Sequence, residues 1–221
     1  MYFDIYQNIL DEIKSIRPKN PPNLIAVSKT YPTEVIHQAH KEGIQIFGEN
    51  KIKEGIEKFS DLRKNNKIEL HHIGPLQTGT LKKLFGNFEF THGVGSLSAL
   101  FELKKQAEQK KILIHFFLQA NLTDEDTKSG FEKKDLIEQI KIELDQRNQY
   151  CKFHGLMTMG PSDGNMEVTK NVFSTLNEIR IKYCPDQFLS MGMSGDYKIA
   201  TENGSDYIRV GSAIFGKRNY I

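Results

Sequence analysis

Apolar positions along this chain follow two alternating patterns. One is a short apolar run of strand length; the other is a stripe at three- and four-residue spacing. Ile5, Ile9, Ile13 and Ile16 stripe residues 4–16 and predict a leading helix. Pro18, Pro21 and Pro22 then form a stiff linker. "LIAVSKT" (24–30) is the first predicted strand. Thr33 can cap a helix running to about Lys41, with Gly43 suited to its end. "IQIFGEN" (44–50) is the second strand, and the helix after it shows Ile52, Ile56 and Phe59 on one face. "IELHHIGP" (68–75) is the third, with a helix expected around 78–85. "FEFTHGVG" (88–95) and "KILIHFFLQAN" (111–121) are the fourth and fifth, separated by a helix from Ser96 to about Lys110. The polar loop "LTDEDTKSG" leads to a helix at 132–147. "FHGLMTMG" (153–160), "FLSMGMS" (188–194) and "YIRVGSAIFG" (207–216) complete the set, with helices near 165–183 and 196–203.

Eight strands, the first seven each followed by a helix, imply a parallel sheet. Eight such units can close on themselves, so the expected fold is a single (β/α)8 TIM barrel of the α/β class. The expected organisation is one domain over 1–221, with a leading helix at 1–17 and the barrel at 24–216. The last strand lacks a full helix after it, and the N-terminal helix is expected to cover that gap.

Composition narrows the partners. The 221 residues carry a net charge of +2, with basic residues spread along the chain. The pairs Lys82-Lys83 and Lys104-Lys105 fall on predicted helices and read as solvated faces, not a nucleic-acid footprint. Cys151 and Cys184 have no metal or redox spacing and suit a reducing compartment. The N-terminus carries acidic residues and breaks its apolar run early, unlike a signal peptide, and no apolar stretch approaches membrane-spanning length. The expectation is a soluble cytoplasmic protein.

In a barrel, chemistry sits at the C-terminal ends of the strands, and phosphate is often held after strands seven and eight. There the chain reads "GMSGD" and "RVGSA". Glycine allows close backbone approach, successive N–H groups make an anion nest, and Ser194 and Ser212 add hydroxyl donors. Arg209, between Ile208 and Val210, alternates into the barrel interior, where it meets a ligand or an inward acid such as Glu49. Lys29 is the other notable residue. In a partly desolvated site it is an amine nucleophile toward an aldehyde. Alternatively it ends its strand in water, its stem covering apolar surface, and the stretch alone favours that simpler reading. A buried lysine, a phosphate cup and an inward arginine together fit pyridoxal 5′-phosphate (PLP). "HGVGSLS" (92–98) half-matches a dinucleotide fingerprint and is poor evidence. His37, His40, His71 and His72 lack partners at metal-ligand spacing, so no metal site is expected.

The ordered set "AVSKT", "FGEN", "HHIGPLQ", "KSG", "GLMTM", "LSMGMSGD" and "IRVGSAIFG" resembles the YggS-like PLP homeostasis proteins, from about Leu24 to Arg218. The resemblance implies a barrel like the N-terminal domain of alanine racemase. It implies that Lys29 holds PLP as an internal aldimine, that Asn50 lines the cofactor near its ring, and that Ser194, Gly211 and Ser212 hold the phosphate. Arg209 would face the pyridine nitrogen. A guanidinium cannot accept a proton, so it leaves that nitrogen unprotonated and weakens the ring as an electron sink. Implied too are a role in intracellular vitamin B6 and amino-acid homeostasis without substantial catalytic turnover, a monomeric state, and PLP-dependent apoenzymes as recipients. Two alternatives use the same barrel: a PLP-dependent amino-acid racemase with Lys29 as a catalytic base, and a sugar-phosphate enzyme. Lys51 stands where members commonly have Tyr, "GPLQTGT" replaces the common "GPLQSNK", and Ser212 replaces a frequent Thr.

Overall fold

The computed structural model describes residues 1–123, 125, 129–146 and 148–216. Among these, eight parallel strands close into a barrel in chain order, β8 pairing back onto β1. They are β1 (Asn23–Val27), β2 (Ile46–Glu49), β3 (Glu69–Pro75), β4 (Phe90–Val94), β5 (Ile114–Gln119), β6 (Cys151–Met157), β7 (Phe188–Ser190) and β8 (Tyr207–Val210). The helices are α1 (Tyr2–Ile16), α2 (Thr33–Lys41), α3 (Ile52–Asn65), α4 (Leu97–Lys110), α5 (Lys133–Asp145), α6 (Met166–Tyr183), α7 (Tyr197–Glu202) and α8 (Ser212–Phe215). The expected TIM barrel is therefore the fold.

Strands covered on both faces give two cores. The outer core lies between barrel and helices and includes Phe47, Phe59, Phe116 and Phe173. The inner one fills the barrel with Ile25, Phe90, Phe117, Met157 and Tyr207. Four histidine rings join it. His71 stacks on Phe90 at 4.4 Å between centroids, His92 on Phe117 at 4.3 Å and His154 on Phe188 at 4.6 Å, while His115 stacks on Phe90 at 5.0 Å.

Several elements differ from the sequence expectation. A single 3-10 turn, Leu81–Lys83, stands where a helix at 78–85 was expected. Leu81, Leu84 and Phe85 are buried as the helical spacing implies, but Gly86 turns the backbone to φ +80° and ends the element. β1 stops at Val27, so Ser28, Lys29 and Thr30 lie beyond it. β8 stops at Val210, and Ser212–Phe215 coils into α8 instead of extending the strand to 216. Thr33 is the first helical residue of α2, and Pro32 takes the cap position without a side-chain bond. The expected end of the fifth helix at 147 lies outside the described residues.

α1 covers the gap beside the short α8. It packs on α7 and α8, with Tyr2 and Phe215 rings 5.6 Å apart. The Tyr6 hydroxyl donates to the Leu24 carbonyl at 2.7 Å, and the Tyr197 hydroxyl donates to Glu12. Met1 supplies no side-chain cap to α1. Glu42, beyond α2, replaces it by accepting the Tyr2 and Phe3 N–H groups at 2.6 and 3.1 Å, two of the first-turn donors that lack helical partners.

Candidate functional site

A cavity of about 240 Å³ opens toward the C-terminal ends of the strands, lined by residues in or just after β1, β3, β6, β7 and β8. Lys29, Ser194, Arg209, Gly211 and Ser212 all line it, with Val27, Ile73, Met159 and Met193 as apolar walls. Five of the six residues singled out from the sequence thus share one cavity. Asn50 ends β2 beside it but is not part of the lining; its Oδ1 is buried without a hydrogen-bond partner.

The local structure pins the backbone on both sides of Lys29. The Ser28 hydroxyl donates to Glu49 Oε1 at 2.7 Å, and Lys58 Nζ donates to the Ser28 carbonyl at 2.9 Å. The Thr30 N–H donates to Glu54 Oε1 at 2.8 Å. Thr30 sits at φ +69°, a left-handed conformation that costs a β-branched residue about 1–3 kcal/mol. Lys58 bridges the two acids, 3.2 Å from Glu49 and 2.6 Å from Glu54. This cluster corrects one sequence expectation. Glu49 is not an inward partner of Arg209; alternation along β2 turns it outward to Ser28 and Lys58. Burial pushes its carboxyl up to about 7, although Lys58 pulls the other way.

The phosphate-cup residues meet across two loops. Ser194, after β7, accepts the Gly211 N–H, after β8, at 3.3 Å. Gly192 makes the approach possible. Its φ is +96°, and a Cβ there would lie 2.5 Å from that of Ala200. Asp196 turns the loop by accepting the Met193 N–H at 2.5 Å.

Arg209 is buried, as its position on β8 requires. Nη1 donates to Ser190 Oγ at 2.5 Å and Nη2 to the Thr158 carbonyl at 3.1 Å. Burial lowers its pKa to about 10, with Asp196 opposing, so it remains a cation at neutral pH. Among the described residues it has two acceptors for five N–H donors, leaving donors for a ligand. Sequence reading missed Ser190 and Thr158. Their signal was alternation: Ser190 is level with Tyr207 on the neighbouring strand, within the barrel. Of the departures at the mouth, Lys51, Thr78 and Gly79 are exposed and outside the cavity lining. Lys128 of "KSG" and Arg218 lie outside the described residues. Among the described residues, no group of three or more His, Cys, Asp or Glu is placed to hold a metal ion.

Comparison with known proteins agrees with this geometry. Residues 4–219 match the family described as "Alanine racemase, N-terminal domain". The chain belongs to that family. Within the alanine racemase N-terminal domain family, it is 34% identical over 209 residues to a pyridoxal phosphate homeostasis protein of Aquifex aeolicus, covering 92% of this chain and 90% of that protein. It is 33% identical to the namesake from Pasteurella multocida, covering 98% and 95% of the two chains. The resemblance read from the sequence therefore holds. PipY of Synechococcus elongatus PCC7942, solved with PLP bound, superposes with a TM-score of 0.79 at 29% identity, covering 94% of this chain and all of that one. An alanine racemase of Clostridium difficile shares the fold at 16% identity with a TM-score of 0.73, and the match covers 57% of that chain.

Proposed function

We propose that this chain binds PLP at the barrel mouth, linked through its aldehyde to Lys29, and serves PLP homeostasis. The observation that carries this is the single cavity shared by Lys29, Arg209 and the Ser194–Gly211–Ser212 cup. When bound, PLP supplies an electrophilic aldehyde and, in principle, an electron sink. Lys29 would hold the cofactor through its amine, the nucleophile that the aldehyde requires. Ser194, Gly211 and Ser212 bind the phosphate by hydroxyl and backbone N–H donation. Arg209 has donors left over and, being unable to accept a proton, would hold a ring nitrogen in its unprotonated form. Asn50, behind the cavity wall, would reach the ring only after its side chain moved.

The relatives named for PLP homeostasis and the PLP-bound PipY support the reading. The Arg209 partner weakens the ring as an electron sink, and the relatives, named for PLP homeostasis, do not favour the racemase alternative. A monomer that passes PLP to apoenzymes in the cytoplasm belongs to the same proposal. Among the described residues no helix is long and apolar enough to cross a membrane.

The test is the visible spectrum of purified protein mixed with PLP, followed by borohydride reduction and peptide mapping. A yellow band and a reduced adduct on Lys29 are expected, both lost in Lys29→Ala. A wild type without the band, or an adduct that persists in Lys29→Ala, overturns the proposal.

A further inference from the structure

The cavity does not use His71 and His92, although both are fully buried inside the barrel. They belong to a continuous line of hydrogen bonds. Glu69 Oε1 lies 2.8 Å from His71 Nε2, His71 Nδ1 lies 2.9 Å from His92 Nε2, and His92 Nδ1 lies 2.7 Å from Ser190 Oγ. Ser190 Oγ in turn accepts from Arg209 Nη1. The line runs from an acid at the N-terminal end of the barrel, its side chain 41% exposed, to the guanidinium on the cavity wall.

The carboxylate end and two neutral rings together set the protons along the line. A carboxylate only accepts, so His71 must donate from Nε2. Carrying that proton alone, His71 offers a lone pair at Nδ1, and His92 then donates from Nε2. Burial holds the pKa of His92 well below its usual value, so it too is neutral and offers a lone pair at Nδ1. Ser190 then donates its hydroxyl proton to His92. Its oxygen remains free to accept from Arg209, which can only donate. With both rings neutral, one proton arrangement satisfies all five groups. The faces of the two rings are covered by Phe90, Phe117 and Tyr207, which carry no charge at neutral pH.

The chain answers an electrostatic need. Among the described residues Arg209 is a buried cation with no carboxylate hydrogen-bonded to it, and an uncompensated buried charge is costly. Asp196 compensates it in part through space, the Met193 N–H favouring the charged form of that carboxyl. Aligned hydrogen bonds in a low-dielectric interior polarise one another and carry charge compensation along the line.

We propose that Glu69, through His71, His92 and Ser190, is the remote counter-ion of Arg209 and fixes the direction of its guanidinium toward the cavity. All four are positioning residues. The consequence for PLP rests on the function proposed above; the relay is a property of the protein alone.

The test starts with the full chain, isotope-labelled and free of PLP, at pH 7.5. Long-range proton–nitrogen spectra report the tautomer of each histidine, and side-chain spectra report the Arg209 guanidinium. His71 and His92 are expected neutral with the proton on Nε2. E69A removes acceptor and charge; E69Q keeps an acceptor only. The Arg209 signals are expected to shift in E69A and less in E69Q. Added PLP is expected to bind E69A at least fivefold more weakly than wild type, with E69Q between them. H115Q, inside the barrel but outside the line, is expected to stay within twofold. A charged His92, an Nδ1–H tautomer of either ring, or an E69A protein with unmoved Arg209 signals and PLP affinity within twofold overturns the relay. If the wild type takes up no PLP, the proposed function fails, and the tautomers and Arg209 signals still decide the relay.

Discussion

The two ends of the barrel are built on opposite principles. At the C-terminal end, the interior opens into a cavity with lysine, serine and glycine on its rim. Toward the N-terminal end it is filled with rings: Phe90, His115, His154, Phe188 and Tyr207 pack against one another, and His154 Nε2 lies 3.0 Å from the Tyr207 hydroxyl. Burial holds His154 down to about 4 and lowers His115, so these rings stay neutral and behave as packing. The same alternation of inward residues thus yields a plug at one end and a binding surface at the other. What distinguishes them is where the polar groups find partners. In the plug, His154 bonds the Tyr207 hydroxyl, while His115 Nδ1 is buried without a hydrogen-bond partner. On the rim, the backbone is held from outside the barrel, by Glu49, Glu54 and Lys58, and inward groups are left for a ligand.

The contrast can be broken most severely from the plug. Phe117 is fully buried in the inner core, so Phe117→Ala is expected to cost about 3–5 kcal/mol of stability in denaturant unfolding. A loss below about 1 kcal/mol would show that the rings do not carry the fold. The outside clamp is probed by pH. The folded Glu49 carboxyl, raised to about 7 against a reference of 4.5, holds its proton more tightly than the unfolded one. Its stabilising contribution is complete below pH 4.5 and is lost as pH rises through 7. The stability of wild type minus that of Glu49→Gln should therefore fall by roughly 2–3 kcal/mol between pH 4.5 and 8. A pH-independent difference would place that carboxylate in solvent or fully paired with Lys58. The rim itself should respond least in stability. Ser212→Ala removes an exposed hydroxyl, so unfolding is expected to change by no more than about 0.5 kcal/mol. PLP affinity, measured by the same visible band, is expected to drop several-fold. Unchanged affinity would remove Ser212 from the phosphate cup.

Much of the barrel was legible because its signals are local. Short apolar runs alternating with helical stripes mark the parallel strands, and barrel geometry then marks their ends. The failure at 78–85 is also local. Leu81, Leu84 and Phe85 have helical spacing, but a glycine on each side leaves room for one turn only. At the site, Lys29, Ser194, Arg209, Gly211 and Ser212 were legible because each lies at or near a strand end. Asn50 has the same sequence signal, yet its side chain is not on the cavity wall. The clamp behind Lys29 was not legible, since Glu54 and Lys58 look like an ordinary i,i+4 surface pair on α3. Nor was the line from Glu69 to Arg209. Its members lie on four strands, and only closure of the sheet brings them into contact.

The seam between β8 and β1 has a consequence for how this protein is made. α1 leaves the ribosome first, yet its partners α7 and α8 emerge last, and β1 waits for β8 across some 180 residues of sequence. Pairings this distant in sequence are slow, because loop closure must precede any gain from contact. The apolar face of α1, including Ile9 and Ile13, therefore remains uncovered through most of synthesis. The nascent chain can close β8 onto β1 and seat α1 on α7 and α8 only after translation has passed residue 215, which leaves that face of α1 for a chaperone to hold until then.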